Sequence, residues 1–221
     1  MAAECLAAIH LCAIRVTRLD AVGNPAAGPN NVYVSNKPIQ LGMTPVIEAG
    51  ADRTLVGGCD CLIATYRGYD KLKRFDLELD LGVLEPGLVE MLIGADAILG
   101  GSSGTDPIGD WWPASQTFAC GTAPQPNVCF EAWQDGWHDD AQDATYPYIH
   151  WIFPSSFWQI AAQTLQNDFL QPKITGFTRG NTVWGEGIYG DLPEAAEPLG
   201  GFFYTNTRPT GECGYQTQAI T

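Results

Sequence analysis

The sequence is poor in basic residues. Eleven lysines and arginines stand against 25 aspartates and glutamates, so the 221-residue chain carries a formal charge of −14 at pH 7. Proteins that bind the phosphates of DNA, or anionic lipids, need clustered positive charge. The composition therefore argues against nucleic acid or an anionic membrane surface as the main binding partner.

Long hydrophobic runs are also lacking. No apolar stretch approaches the roughly 18 residues that a membrane-spanning helix requires. Residues 1–14 are moderately apolar, but they lack the basic start of a secretory signal peptide and include Glu4. We expect neither a membrane-spanning helix nor a cleaved leader.

Catalytic signatures are missing too. The chain has three histidines, His10, His138 and His150, and contains no Gly-x-Ser-x-Gly, His-Glu-x-x-His or phosphate-binding loop. No pattern pairs a nucleophile with a base. We expect a protein that is not an enzyme and that carries no cofactor.

The charge that is present is unevenly distributed. Between Arg74 and Lys173 there is no basic residue, whereas this block holds 14 acids and six of the seven tryptophans. The remaining residues are balanced in charge. The whole net negative charge therefore belongs to the central block.

The hydrophobic pattern predicts mostly strands. The 25 glycines and 15 prolines divide the sequence into short segments. Alternation is clearest over 71–81, where Phe75, Leu77, Leu79 and Leu81 share one face and Asp76, Glu78 and Asp80 the other. Further strands are predicted over 13–19, 31–35, 39–48, 62–66, 127–133, 148–153, 174–178, 201–205 and 215–220.

One helix is predicted over 85–93, because Pro86 suits a first helical turn and Gly94 a helix end. Residues 100–110 and 135–143 read as loops, and 157–165 is ambiguous between strand and helix. The sequence predicts a single all-β domain over 1–221, a sandwich or barrel with one flanking helix.

The segment 39–48 is interrupted by Gly42 and Pro45. Because a proline cannot donate a hydrogen bond within a sheet, this segment belongs at an edge or in a protruding hairpin. We expect an extended hairpin over about 31–50. Residues from about 180 to 221 form a C-terminal extension.

Three side-chain clusters leave alternatives open. Among seven cysteines, Cys59 and Cys61 flank one residue, which suits a disulfide, a zinc thiolate site or free thiols. Acids between Asp135 and Asp143 suit calcium or a solvated loop. Carboxylates beside tryptophans, at 110–112 and 131–135, suit glycoside hydrolysis, a core or an interface.

Three segments together resemble the major tail tube proteins of long-tailed bacteriophages, in the form found in phages of actinobacteria. They are AECLAAIHLCAIRVTRLDAVGNPAAGPNNVYVSN, CDCLIATYRGYDKLKRFDLELDLGVLEPGLVEMLIGAD and YPYIHWIFPSSFWQIAAQTLQ. The resemblance covers about two thirds of the chain, without residues 100–125 and the C-terminal extension. It implies a β-sandwich protomer, six-membered rings, and stacking of the rings into a tube.

The resemblance also implies a location and partners. We expect a virion protein of the phage tail, assembled in the host cytoplasm, that contacts its own copies and other tail proteins. Double-stranded DNA would pass without specific binding. A secreted carbohydrate-active hydrolase and a calcium-dependent binding module remain as alternatives.

Candidate residues follow from this hypothesis. Asp76, Glu78 and Asp80 are candidates for the lumen, because an acidic lining repels DNA phosphate. Cys59 and Cys61 are the candidate disulfide or thiol cluster in a chain whose other cysteines we expect to be reduced. Apolar residues of the expected hairpin are candidates for contacts between subunits: Ile39, Leu41, Met43, Val46 and Ile47.

Overall fold

The computed structural model describes most of the chain as antiparallel strands with one α-helix. The described residues are 6–94, 96–100, 106–111, 125–138, 140–164, 171–181, 186–187, 190–191, 198–209 and 213–218. None of the helical residues among them forms a segment long and apolar enough to span a membrane. The all-β class with one helix is confirmed.

The first half of the chain contains six strands and the helix. The strands are β1 Ala7–Arg18, β2 Gly28–Ser35, β3 Pro38–Glu48, β4 Asp52–Val56, β5 Leu62–Arg67 and β6 Lys71–Leu81, and the helix is α1 Pro86–Ile93.

The second half adds ten strands. They are β7 Asp96–Gly100, β8 Asp106–Trp111, β9 Val128–His138, β10 Ala141–Gln142, β11 Tyr148–Ile160, β12 Lys173–Thr178, β13 Glu186–Gly187, β14 Gly190–Asp191, β15 Gly201–Thr205 and β16 Gly214–Gln218.

One antiparallel sheet of ten strands forms most of the described fold. Its main path runs β16-β2-β1-β9-β11-β12-β6-β3, with β10 on β9 and β15 on β11. The long strand β11 changes neighbours along its length, because its first half pairs with β9 and β15 and its last residues pair with β12. Strands β3 and β16 therefore lie at the two ends of the path.

Two predicted loops are partly wrong. In the stretch 100–110, residues from Asp106 onward form β8, which pairs with β7. In the stretch 135–143, the last four residues of β9 continue as strand and β10 pairs with them. Both errors have one cause: polar and glycine-rich residues here lie in strands whose partners are close to them in the chain.

The hairpin expected over about 31–50 is not formed. Residues 31–35 belong to β2, which pairs with β1 and β16 and is largely buried. Strand β3 pairs instead with β6, from Pro38 opposite Leu81 to Glu48 opposite Lys71. The prediction that 39–48 lies at a sheet edge is confirmed, and its Pro45 is tolerated there.

The core lies between the sheet and α1. Leu77, Leu79 and Leu81 of β6 are buried, as the alternation predicted. They join residues of β1, β9, β11 and β12, among them Phe130 and Trp158, in one hydrophobic cluster. Burial of each such aliphatic side chain contributes about 1.5–3 kcal/mol to stability.

Helix α1 begins and ends where the sequence indicates. Pro86 is its first residue, and Gly94 follows it in the left-handed conformation, with its N–H bonded to the carbonyl oxygen of Glu90 at 3.0 Å. The side chain of Glu90 binds Arg18 of β1 at 3.1 Å and contacts the hydroxyl of Tyr215 in β16. The helix is thus fastened to strands at both ends of the chain.

A charged network is buried on the sheet face opposite α1. Glu131 of β9 is fully buried and accepts two hydrogen bonds from Arg15 of β1, at 2.7 and 2.9 Å. His150 of β11 is hydrogen bonded to the same carboxylate at 3.1 Å and stacks on Trp133, with ring centroids 4.0 Å apart. Phe203 of β15 packs edge-on against His150. Strand β15 therefore contributes one aromatic side chain that packs beside this network.

Candidate functional site

A second hairpin extends the pair of strands β3 and β6. Strands β4 and β5 pair from Asp52 opposite Arg67 to Val56 opposite Leu62, and 57–61 forms the connecting turn. We call residues 52–67 the distal hairpin. Where it joins β3 and β6 the backbones nearly touch, because a Cβ on Gly50 would lie 2.0 Å from the carbonyl oxygen of Gly68. Only glycine fits this joint.

The distal hairpin is exposed on both faces. Among the described residues, β4 and β5 pair only with each other, and every residue of both strands is exposed. Large apolar side chains lie on it or beside its joint and are about half or more exposed: Ile47, Leu55, Val56, Leu62, Ile63, Tyr66 and Tyr69. An isolated two-stranded hairpin is marginally stable in water, and an exposed apolar surface of this kind is typical of sites of association.

The sequence pattern identifies the strand 62–66 but not this surface. A continuous apolar run such as Leu62–Ile63–Ala64 usually indicates a buried strand. The signal that could have identified the hairpin is the turn sequence Gly57–Gly58 followed by Cys59–Asp60–Cys61, which separates two short strands of matching length.

Among the residues of β3 that are candidates for contacts between subunits, some are exposed and one packs in the core. Leu41 packs against the protein's own core. Ile39, Met43 and Ile47 are exposed, and Val46 is half-buried opposite Arg74. Individual residues of β3 differ in this way, so a deletion of 39–47 would remove a paired strand and a core residue as well as the exposed candidates.

A cleft of about 310 Å³ lies between β3 and the strands β1, β9 and β11. Ile39, Leu41 and Met43 form one wall, and Trp151 lies opposite, with its indole N–H donated to Gln134 at 2.8 Å. His10 lies at the rim, has a positive φ of 50°, and is 3.7 Å from Asp135. Three candidate contact residues thus line a concave surface.

The candidate lumen acids lie together on the face of β6 opposite the core, and each is paired with a cation. Asp76 binds Arg74 at 2.8 Å. Lys173 of β12 binds both Glu78 and Asp80, at 3.0 and 3.2 Å. The hydrogen bonds that Lys173 donates, first to Glu78 and then to Asp80, raise the pKa of Lys173.

This face is consequently only weakly acidic. Three carboxylates and two cations share it, which leaves one negative charge. The guanidinium of Arg74 also lies 5.3 Å from the ring of Phe177, which stacks on Phe157. The three candidate acids therefore contribute little net charge to this face, because the two basic residues that border the acidic block bind them.

The two thiols singled out by their spacing lie at the tip of the distal hairpin. Cys59 and Cys61 are exposed and free, and the other described cysteines, Cys12, Cys129 and Cys213, are free as well. The predictions for Cys5 and Cys120 lie outside the described residues.

The carboxylate and tryptophan pair at Glu131 and Trp133 is buried, so a glycan cannot reach it. Of the expected calcium ligands, Asp139 lies outside the described residues. Asp143 accepts hydrogen bonds from the backbone of Thr145 and Tyr146, which makes it a turn residue. The described residues contain no group of three or more ligands close enough to hold a metal ion.

The sequence matches no protein-family model, and no curated protein matches it at a significant level.

Proposed function

We propose that this protein is a structural subunit of a bacteriophage tail tube. In this role six copies form a ring, rings stack into a tube, and the phage genome passes through the tube during ejection. The protein is then a component of the virion that assembles in the host cytoplasm, and its role is structural rather than catalytic. The proposal starts from the resemblance of three sequence segments to major tail tube proteins.

The observation that carries the proposal is the distal hairpin. Its two faces are in solvent, and its apolar side chains, such as Leu55 and Ile63, make it a surface that association would bury. Hydrophobic association is non-directional and does not by itself select a partner surface. The charges around the distal hairpin therefore decide which surface it binds.

Charge favours another copy of the same chain as the partner. Residues 48–74 hold five of the eleven basic residues and only four of the 25 acidic ones. The remainder of the chain therefore carries the whole net negative charge. The segment carries one net positive charge, so the acidic remainder of a neighbouring copy does not repel the distal hairpin within it. A contact between two different surfaces of one chain produces rings or filaments.

The open edges of the main sheet support the same conclusion. Strands β3 and β16 end the path of the ten-stranded sheet, so each presents one row of backbone groups without a strand partner among the described residues. Natural proteins cover or pair such edges. In a closed ring, identical neighbouring subunits cover the edges of β3 and β16.

The face of β6 with Asp76, Glu78 and Asp80 is the proposed lining of the tube. Its net charge is small but negative, and each charge occurs six times in a ring. DNA passes freely if the wall offers no excess of cations to its phosphates. Lys173 and Arg74, held in ion pairs, are not available as such cations.

Electron microscopy of the purified full-length protein in negative stain tests this function. The proposal predicts six-fold rings and tubes, with more tubes at higher protein concentration. Uniform monomers at all concentrations would contradict it, and glycan-hydrolysing activity in such monomers would favour the carbohydrate-active alternative.

A further inference from the structure

The tip of the distal hairpin is a tight and unusual turn. The N–H of Gly57 donates a hydrogen bond to the carbonyl oxygen of Cys61 at 2.7 Å, and Gly58–Asp60 between them form a single 3₁₀ turn. Cys59 and Asp60 both have positive φ angles, 61° and 57°. Residues other than glycine rarely adopt this conformation. The turn therefore holds two consecutive residues in a conformation that they do not favour.

This turn brings two thiols close together. Two steps of about 3.80 Å along a chain that is bent into a helical turn leave about 5.5 Å between the Cα atoms of residues 59 and 61. That separation lies within the range of disulfides. The Sγ atom of Cys61 lies 3.8 Å from the carbonyl oxygen of Cys59, so the Cys61 side chain turns back towards its neighbour.

The other described thiols are in protected environments. Burial raises the pKa of Cys12 to about 11, aided by the hydrogen bond and charge of Asp135. Burial also raises the pKa of Cys129 well above its usual range, with the charge of Glu131 adding to the effect. Cys213 is half-buried and donates to Asn36 at 3.2 Å. Thiol chemistry requires an accessible thiolate. Among the described cysteines, Cys59 and Cys61 at the tip are therefore the ones best placed to react.

We propose that Cys59 and Cys61 form a redox-active dithiol that closes into an intramolecular disulfide. The oxidant is a low-molecular-weight disulfide such as oxidised glutathione. One tip thiolate attacks a glutathione sulfur and displaces a glutathione thiolate, which leaves a mixed disulfide on the protein. The second tip thiolate attacks the protein sulfur of that bond and displaces the other glutathione. Two protein thiols are thereby oxidised and one glutathione disulfide is reduced.

The bond has a structural consequence for the hairpin. A disulfide between residues two apart closes a small covalent ring around Asp60 and fixes the left-handed conformation of the turn. The dithiol form, which the structure describes, holds the same turn without this covalent restraint. The redox state of the tip therefore sets how tightly the turn between Val56 and Leu62 is constrained. This inference concerns the chemistry of the tip and does not depend on assembly.

Mass spectrometry of the full-length protein in glutathione buffers of increasing oxidised fraction tests the proposal. Trypsin releases residues 54–67 as one peptide that contains Cys59 and Cys61 and no other cysteine. After alkylation, both thiols should disappear from this peptide together as the buffer becomes oxidising, and the peptide should become lighter by two hydrogen atoms than its reduced, unalkylated form. Amide hydrogen exchange over 57–63 should slow in the oxidised form.

Single variants provide the controls. Cys59→Ser and Cys61→Ser cannot close the ring and should remain as mixed disulfides with glutathione. Cys213→Ser should behave like the wild type. The proposal is overturned if the wild-type peptide carries two glutathiones, if both thiols stay alkylatable under oxidising conditions, or if the peptide is found crosslinked to a second chain.

Discussion

Lys173 and Glu78, which are 95 positions apart in the chain, form an ion pair of 3.0 Å on the sheet face opposite the core. The pair joins β12 to β6, and Lys173 reaches Asp80 as well. It links one border of the long stretch without basic residues to acids near its other border. The charge of this face is thus set by a contact between distant parts of the chain, and its net value is small.

Charge reversal on this face should convert a neutralised wall into one that binds DNA. Asp76→Lys together with Glu78→Lys places positive charge beside Arg74 and Lys173 and removes their partners. We expect assembled tubes of this variant to retain double-stranded DNA at low salt and to release it as salt rises, because salt screens contacts with phosphate. Filter binding or co-sedimentation measures the retention.

The control for this variant is Glu48→Lys with Asp140→Lys, which makes the same change in net charge at exposed positions elsewhere. It should leave DNA retention unchanged. Equal retention by both variants would show that the net charge of the particle, and not the β6 face, controls DNA binding.

Glu131→Ala should destabilise the fold strongly. It leaves Arg15 and His150 without the buried carboxylate that binds both. Removal of one partner from a buried ion pair costs about 3–5 kcal/mol. The midpoint of urea unfolding measures the loss. Arg67→Ala, which removes the exposed ion pair with Asp70, should cost about 0–1 kcal/mol and serves as the control. Similar losses for both variants would mean that the buried network contributes no more than a surface pair.

Gly87→Ala should reverse the usual effect of this substitution in a helix. Alanine normally stabilises a helix interior by about 1 kcal/mol relative to glycine. Here a Cβ would lie 2.6 Å from Cε2 of Tyr33 and 3.1 Å from Cε2 of Tyr215. We expect a net destabilisation of about 1–3 kcal/mol, as in other overpacked cores.

Thermal unfolding followed by circular dichroism measures the effect of Gly87→Ala. A Cβ on Gly201 would meet no atom within 4 Å, so Gly201→Ala is the matched control, with an expected change within about 0.5 kcal/mol. A stabilised Gly87→Ala variant would show that β2 and β16 do not pack as closely on α1 as described.

Local patterns predicted the elements of this fold better than their partners. The alternation from Phe75 to Leu81 and the signals at Pro86 and Gly94 are properties of neighbouring residues, and the structure agrees with them. The pairing of β3 with β6 and not with β2 depends on residues more than 20 positions away. Sequence proximity alone therefore favoured the wrong hairpin.

The site was harder to predict for the same reason. Leu62 and Ile63 have the composition of a buried strand, and only the absence of a covering element among the described residues identifies them as exposed. Conversely, Glu131 has the polarity of a surface residue, and its burial depends on Arg15, which is 116 positions away. The polarity of Leu62, Ile63 and Glu131 therefore does not by itself predict whether each side chain is exposed or buried.

The central claim is that the distal hairpin drives assembly of identical chains, and two matched double variants test it most directly. Leu62→Asn with Ile63→Asn replaces apolar side chains of its surface by neutral polar ones, and Thr54→Asn with Thr65→Asn introduces the same residues at its paired polar positions. Sedimentation velocity, with electron microscopy of the same samples, measures the assembly state. The account predicts rings and tubes for the wild type and the threonine variant, and folded monomers for the Leu62 and Ile63 variant. Tubes formed equally well by both variants, or a wild type that stays monomeric, would contradict it.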